Sequence, residues 1–243
     1  MSDVEVHAGN SPARFGEIIK KQAPEIAKAI GKTMDSDRFV RTVLTTIRTN
    51  PLLQSCTPES ILGGVMLAAQ TGLDLNGPQG LAYLVPFKNK NGQYEAQFII
   101  GYRGMISMAY RSKLIKDLTA HLVYEADKFN YSFGTSPKIV HEPVLEIRGI
   151  VVAAYAIARL TTGGVVSTVL NLEDLDRRRD RSRSKERGPW VTDEAAMQKK
   201  SAIRDLWPML PSSYDMAQAE TIDEVVPVWN GSGLEMIEVS DEN

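Results

Sequence analysis

The residues whose chemistry is clearest are positively charged, and they crowd into one segment. Seven bases and two acids fall within the eleven residues 177–187, and Trp190 follows directly. Lysine and arginine neutralise phosphates, and an aromatic ring can stack on a base, so this composition is typical of a surface for single-stranded nucleic acid. Trp190 could instead anchor the segment to a hydrophobic core, and the sequence leaves both interpretations open.

Charge is divided unevenly along the chain. All 28 lysines and arginines lie at or before Arg204, together with 21 acids, whereas the last 39 residues carry nine acids and no base. The net charge of −2 therefore averages a basic region and an acidic tail, and this division indicates a polyanionic partner. The tail could add solubility, compete with DNA for the basic surface, or dock a partner protein through Val225, Val226, Val228 and Trp229.

Composition excludes several classes of protein. The longest apolar stretch, residues 150–158, is too short to span a membrane, and residues 1–10 lack the features of a signal peptide, so we expect a cytoplasmic protein. The single cysteine, Cys56, forms neither an internal disulfide nor a multi-thiolate zinc site. No G-x-x-x-x-G-K-[ST] motif is present, which argues against an ATP-driven motor.

A metal-dependent nuclease is the enzymatic alternative. Its ligands would have to come from Asp117, His121, Asp127, His141 and Glu142, but these residues lack the paired spacing that specifies a metal centre. We therefore expect stoichiometric binding rather than catalysis, with no cofactor. A non-enzymatic scaffold, with a basic loop and an acidic docking tail, is the other alternative.

The hydrophobic periodicity predicts an α+β fold in which antiparallel hairpins pack with helices. Helices are expected from a cap at Asp35 or Ser36 to about Thr49, from Pro58 to Gly72, from about 104 to 112, from an Asn171 cap through Glu173 to about Asp180, and from a Thr192 cap to Pro208. Alternating residues predict a hairpin around the turn at residues 88–92, strands near 118–124 and 129–133, and a second hairpin at 148–170. The predicted regions are an N-terminal arm with short helices broken at Pro24 (1–34), a DNA-binding core (35–211) and a disordered acidic tail (212–243).

Several short motifs occur in an order that resembles the RecT family of phage and prophage recombinases. They are Asn50-Pro51-Leu52, Gly72-Leu73, residues 82–86 (AYLVP), Gly101-Tyr102-Arg103-Gly104, Tyr124-x-x-Asp127-x-Phe129, His141-x-Pro143, Gly149 with Tyr155, Pro189-Trp190, and Lys199-Lys200-x-x-x-Arg204. The resemblance covers roughly residues 35–214. Serine stands at position 201, where the family pattern leads us to expect threonine.

The resemblance implies ATP-independent annealing of complementary single strands during recombination. It also implies assembly into rings or helical filaments on single-stranded and annealed duplex DNA, a partner 5'-to-3' exonuclease, and contact with a host single-strand-binding protein. The residues that we expect to contact DNA are Lys88, Tyr102, Arg103, Arg111, Lys113, Arg178, Arg181, Arg183, Trp190, Lys199, Lys200 and Arg204. Lys200 and Arg204, one helical turn apart, are predicted to share a face that follows a row of phosphates.

Overall fold

The fold is seen in a computed structural model that describes residues 12–31, 34–182, 185, 189–223, 225–231 and 233–237. The helices in these ranges are α1 (Pro12–Ile30), α2 (Ser36–Thr49), α3 (Pro51–Gln54), α4 (Pro58–Thr71), α5 (Tyr102–Arg111), α6 (Leu172–Asp180), α7 (Pro189–Thr192), α8 (Glu194–Leu206) and α9 (Tyr214–Ile222). The strands are β1 (Ala82–Lys88), β2 (Tyr94–Ile100), β3 (Ile115–Tyr124), β4 (Lys128–Ser132), β5 (Lys138–Glu142), β6 (Val151–Leu160), β7 (Val165–Asn171), β8 (Val226–Trp229) and β9 (Leu234–Ile237). Helices and antiparallel strands are thus combined, and the α+β prediction is confirmed.

The chain divides into two compact units. The first unit, Met1–Met108 with Tyr214–Asn243, is built around α4, whose side chains are buried along nearly its whole length. Helix α1 and strands β2 and β8 pack against α4. Two glycines make this packing close: a Cβ at Gly63 would lie 2.4 Å from the Pro227 carbonyl oxygen, and one at Gly64 would lie 2.3 Å from a Leu84 methyl. Strands β1 and β2 form the predicted antiparallel hairpin.

The second unit, Ala109–Ser213, contains an antiparallel sheet with the strand order β3-β6-β7. The Thr168 hydroxyl of β7 donates to Asp205 of α8, so α8 covers that face of the sheet. Side chains that alternate with this face, including Val123 and Tyr155, pack against Phe129 and Ile139 of the separate β4–β5 hairpin. The sheet is therefore sandwiched between a helix and a hairpin.

Local signals in the sequence set several element boundaries as predicted. Asp35 caps α2 by accepting a hydrogen bond from the Arg38 backbone N–H at 2.6 Å. Helix α4 starts at Pro58 and ends where Gly72 adopts φ 62°, a conformation that suits glycine. Asn171 and Asp174 form a reciprocal capping box at the start of α6. Among the described residues, no helix is both long and apolar enough to cross a membrane.

Helix α1 differs from the prediction, because it continues through Pro24 as one helix. A proline inside a helix costs about 3 kcal/mol through its missing N–H and its steric clash. The buried side chains of Phe15, Ile19, Ile26 and Ile30 lie on both sides of Pro24 along one stripe. Their burial in the first unit offsets this cost. Residues 1–11 of the predicted N-terminal arm lie outside the described residues.

The acidic tail also differs from the prediction of disorder. Residues 214–222 form α9, and β8 pairs with β9 from Val226↔Ile237 to Trp229↔Leu234. The Val225 carbonyl accepts a hydrogen bond from the Phe98 N–H at 3.1 Å. The contact between Phe98 and Val225 joins segments more than a hundred residues apart, so the local periodicity of the sequence could not predict it.

Two smaller differences concern the second unit. Strand β5 was not predicted, and it pairs with β4 from Lys128↔Glu142 to Ser132↔Lys138. The last long helix is capped by Asp193 rather than by Thr192, which ends the short helix α7.

Candidate nucleic-acid interface

Helix α8 carries three of the predicted DNA-binding cations. Its cap, Asp193, accepts a hydrogen bond from the Ala196 N–H at 3.2 Å. Lys200 is only 3% exposed, whereas Lys199 and Arg204 are half-buried. Because β3, β6 and β7 all pack against α8, Lys200 points into the packing and does not share an open, phosphate-facing side with Arg204. Lys199 and Arg204 are each partly exposed.

The basic run of residues 177–187 is more ordered than its composition indicates. Its first four residues belong to α6, and several of its bases already bind carboxylates. The ion pairs are Arg177 with Asp174 at 2.5 Å, Arg178 with Asp205, Arg179 with Glu194 at 3.0 Å, and Lys185 with Asp180 at 3.1 Å. Within the described part of the chain, no carboxylate pairs with the exposed Arg181, and Arg183 lies outside that part. A phosphate would have to displace a carboxylate at most of these bases.

Trp190 is 3% exposed in the second unit. Of the two interpretations that the sequence left open, burial supports the anchor, because a ring enclosed on both faces cannot stack on a base. Helix α7, which contains Trp190, packs against α8. Trp190 thus helps to hold the end of the basic run next to the helix that carries Lys199.

The glycines of the Gly101-Tyr102-Arg103-Gly104 motif serve packing within the first unit. A Cβ at Gly101 would lie 2.4 Å from the Gly80 carbonyl oxygen, and one at Gly104 would lie 2.1 Å from the Leu81 carbonyl oxygen. The space beside both glycines is therefore filled by the chain's own backbone rather than left open for a ligand. Arg103 is exposed, and its Nε donates to the half-buried Tyr102 hydroxyl at 3.2 Å.

The remaining predicted cations have varied surroundings. Lys88 is exposed, with its ammonium 5.1 Å from the centre of the Tyr94 ring. Lys113 is exposed at a turn with φ 59°, and Arg111 is half-buried. Lys88, Tyr102 and Arg103 belong to the first unit, and the other predicted contact residues belong to the second.

A row of aromatic rings in the second unit was not assigned to binding from the sequence. His121 stacks on Tyr155 with ring centroids 5.3 Å apart, and Tyr155 stacks on Phe129 at 5.5 Å. The row continues along β4 through Tyr131 and Phe133, at 5.6 and 5.4 Å. The last two rings are 46% and 56% exposed. The F-x-Y-x-F alternation in the sequence places these three side chains on one face of a strand, and it could have indicated a stacking platform.

The surroundings of His121, at one end of this row, shift its pKa. Burial lowers the pKa of His121, and the neighbouring His141 and Lys199 lower it further, against the opposite effect of Asp117. His121 is therefore neutral at pH 7.

Asp127 gathers the motif residues of the second unit into one buried network. Its carboxylate is fully buried and accepts hydrogen bonds from the Tyr124 and Val144 N–H groups, from His141 Nε2 at 3.0 Å and from Arg148. The hydrogen bond from Arg148 is the main reason that the pKa of Asp127 lies well below its usual range. Burial raises this pKa, and the hydrogen bonds from the other donors lower it further. This carboxylate therefore stays charged and cross-links the loops around β4 and β5.

His141 and Arg148 connect the Asp127 network to neighbouring tyrosines. The second nitrogen of His141 lies 3.1 Å from the Tyr155 hydroxyl, and the Arg148 guanidinium lies 4.1 Å above the Tyr124 ring. Gly149 has φ 78°, which favours glycine, and a Cβ there would lie 2.9 Å from the Glu125 carboxylate. Asp127 and His141, which the sequence offered as metal ligands, instead bind each other, and among the described residues no three metal-binding side chains converge.

Partly exposed cations and an exposed aromatic row, carried on an α+β fold, are the features expected of the nucleic-acid-binding class of proteins. The RecT family model matches residues 37–234, so the chain belongs to the RecT family and is a recombination protein. Protein RecT of Escherichia coli strain K12 is 38% identical over 207 residues, which cover 84% of this chain and 77% of the relative. The uncharacterized protein YqaK of Bacillus subtilis strain 168 is 27% identical over 114 residues, covering 47% of this chain and 34% of that protein.

Proposed function

We propose that this protein binds single-stranded DNA and anneals complementary strands, as an oligomer and without ATP or catalysis. The observation that carries the proposal is family membership, since the matched residues 37–234 include segments of both compact units. A partner 5'-to-3' exonuclease and a host single-strand-binding protein belong to the same proposal and rest on the family alone.

The chemistry of annealing fits the side chains of the second unit. Annealing breaks no covalent bond, so the protein has to neutralise phosphates and order the strand while the base edges stay accessible. Exposed rings such as Tyr131 and Phe133 can each stack on a base, which is worth about 1–3 kcal/mol per base. Lys199, Arg204 and Arg181 supply the positive charge. Stacking uses the faces of the bases, so their Watson–Crick edges remain free for a second strand.

The first experiment measures annealing of two complementary fluorescent oligonucleotides across a salt series, without nucleotide. We expect the protein to accelerate annealing at low salt. We also expect its affinity for one strand to fall steeply as salt rises, with a slope of about 0.7 per phosphate neutralised. Annealing no faster than in the absence of protein would refute the proposal. Cleavage of labelled DNA on addition of magnesium, prevented by a chelator, would identify the protein as a nuclease instead.

The stacking role is tested in the same assay by changing two exposed rings. The variant Tyr131→Leu with Phe133→Leu keeps apolar side chains but removes the aromatic faces. Affinity for a single strand should fall about tenfold or more, because stacking of one base is worth at least 1 kcal/mol and two rings are lost. Val165→Leu, at a 56% exposed position of β7, is the control and should bind as the wild type does. Equal affinity of the double variant and the wild type would remove the rings from the interface.

A further inference from the structure

Helix α2 in the first unit presents a row of arginines on its outer face. Arg38, Arg41 and Arg48 are all exposed, and at 3.6 residues per turn they fall within about 80° of the helix circumference. Phe39, together with Val43 and Ile47, is buried on the other side. With a rise of about 1.5 Å per residue, the row extends about 15 Å along the helix axis.

These arginines have different neighbours from the arginines of the basic run. Arg41 Nε donates a hydrogen bond to the Asp37 backbone carbonyl at 3.1 Å. This bond orients the guanidinium group, but a neutral carbonyl does not compensate its positive charge. No carboxylate among the described residues forms an ion pair with Arg38, Arg41 or Arg48. In α6, by contrast, three consecutive arginines each bind a carboxylate. The exposed positive charge of α2 is thus available to an external anion.

We propose that the arginine row of α2 is a second contact for the sugar-phosphate backbone of nucleic acid. Guanidinium groups form forked hydrogen bonds with phosphate oxygens, and a row of them along a helix can meet successive phosphates without reading bases. The hydroxyls of Thr42, Thr45 and Thr49 donate to backbone carbonyls of the helix itself. The arginines are therefore the groups on this face that would bind the ligand. Because they would contact phosphates and not bases, binding at this site would not depend on the nucleotide sequence.

The simpler interpretation is a solvated helix face, and α1 shows how such a face differs. Its exposed Lys20, Lys21 and Lys28 are interspersed with Glu17 and Glu25, and Lys28 pairs with Glu25 at 2.7 Å. Mixed signs keep a surface hydrated without attracting a polyanion. On α2 the single acid, Asp37, lies in the first turn, where it complements the helix dipole. The arginine row thus has the one-sided charge of a phosphate-binding surface.

This inference rests on the proposed function, and its test separates the two. The variant Arg38→Ala with Arg41→Ala and Arg48→Ala is compared with Lys20→Ala with Lys21→Ala and Lys28→Ala, which removes the same charge from α1. Binding of a single-stranded oligonucleotide is measured by fluorescence anisotropy across a salt series. Circular dichroism and thermal unfolding check that both variants are folded. A third variant, with lysine at the three arginine positions, keeps the charge but loses the forked geometry.

We expect the arginine variant to bind at least tenfold more weakly at low salt, with the slope of log affinity against log salt reduced by about 2, or about 0.7 per lost phosphate contact. The α1 variant should keep the wild-type slope, and the lysine variant should recover most of it. Equal weakening of the α1 and α2 variants, or an unchanged slope in the arginine variant, would overturn the inference while leaving the proposed function intact. A wild-type protein that does not bind DNA would refute both. If the arginine variant fails to fold, the lysine variant decides by its affinity at low salt: weaker binding than wild type supports the inference, because the forked contacts are lost while the charge is kept, and wild-type affinity contradicts it.

Discussion

At the scale of single residues, Asp127 shows how a charged side chain can be structural. It is fully buried, yet its oxygens are bound by backbone donors, a histidine and an arginine, so the charge is compensated within the second unit. Removing one partner from such a network leaves the other buried groups unsatisfied. Several motif residues that accompany Asp127 are thus explained by folding alone.

This role predicts a pH-dependent effect of Asp127→Asn. The folded-state pKa of Asp127 lies below its unfolded value of about 3.9, so the charged form contributes stability that is present above about pH 4 and is lost as pH falls through the folded pKa. The variant should therefore unfold at lower urea concentration than the wild type near pH 7, and the difference should shrink in acid. Fluorescence of Trp190 and Trp207, both buried in the second unit, reports the transition.

Asp117→Asn is the matched control for this experiment, because Asp117 is partly exposed and pairs with Arg159 at 2.7 Å. An exposed ion pair contributes about 0–1 kcal/mol, so the control should unfold nearly as the wild type does. If Asp127→Asn and Asp117→Asn had equal effects at every pH, the network would not have the importance that its burial indicates.

Lys200 is a second charged residue whose buried position indicates a structural role. Together with Arg204 it matches a family motif, and its type suggested a phosphate contact, but its aliphatic stem lies inside the packing of α8. Removing that stem leaves a cavity, which commonly costs about 2 kcal/mol or more. A loss of annealing in Lys200→Ala would therefore mix folding with binding, and Lys199 is the cleaner position for a test of phosphate contact.

At the scale of elements, the C-terminal segment completes the first unit. Met216 and Ile222 of α9 and Val226 of β8 are buried, and an Asp223 carboxylate oxygen accepts a hydrogen bond from the Ile100 N–H at 2.7 Å. The segment thus covers the free edge of β2, which would otherwise expose unpaired backbone groups. The docking segment that the sequence suggested, with Val226 at its centre, is used within the chain.

We predict that truncation after Ser213 destabilises the first unit. Burial of one such apolar side chain is worth about 1.5–3 kcal/mol, so the loss of three approaches the total stability of a typical domain. Thermal unfolding of the truncated chain should begin at lower temperature, and an exposed β2 edge should promote aggregation. Val226→Ala should lower the unfolding temperature by several degrees, and Val165→Ala, at an exposed valine, is its control. A truncated chain with the wild-type unfolding temperature would contradict this account.

At the scale of the whole molecule, charge and apolar surface bear on assembly. Ion pairs between arginines of α6 and carboxylates of α8 neutralise part of the basic charge that the composition indicates. The connection between β5 and β6 carries apolar side chains that the folded chain does not cover, with Leu145 102% and Ile147 93% exposed. Two large apolar side chains this exposed, separated in the chain only by Glu146, are typical of an interaction surface. We propose a second copy of the chain as the partner, in line with the oligomer of the proposed function.

The corresponding variant, Leu145→Ser with Ile147→Ser, should weaken self-assembly. Burial of two such side chains is worth about 3 kcal/mol or more, so the protein concentration required for assembly should rise by about tenfold or more. Light scattering on a dilution series, with and without oligonucleotide, measures this shift. Val191→Ser, at a 56% exposed position of α7, is the control. Assembly at the wild-type concentration would exclude this connection from the subunit contact.

The sequence by itself determined the parts of this protein that depend on neighbouring residues. The Asp35 cap, the Pro58 start and Gly72 end of α4, the capping box of α6 and the β1–β2 hairpin all follow from signals within a few positions. The order of short motifs likewise identified the family, because the order of motifs along a chain can be recognised without knowing which residues are in contact.

Only the tertiary structure decided which side chains are free to act. Lys200 and Trp190 are of types that bind DNA but are buried, whereas Tyr131 and Phe133 looked like ordinary strand residues but are exposed. The ordered tail and the unbroken α1 likewise depend on contacts with distant segments. The physical reason is that burial and ion pairing are set by elements far apart in the chain, so residue type and spacing describe what a side chain can do, and packing determines whether it is available to do it.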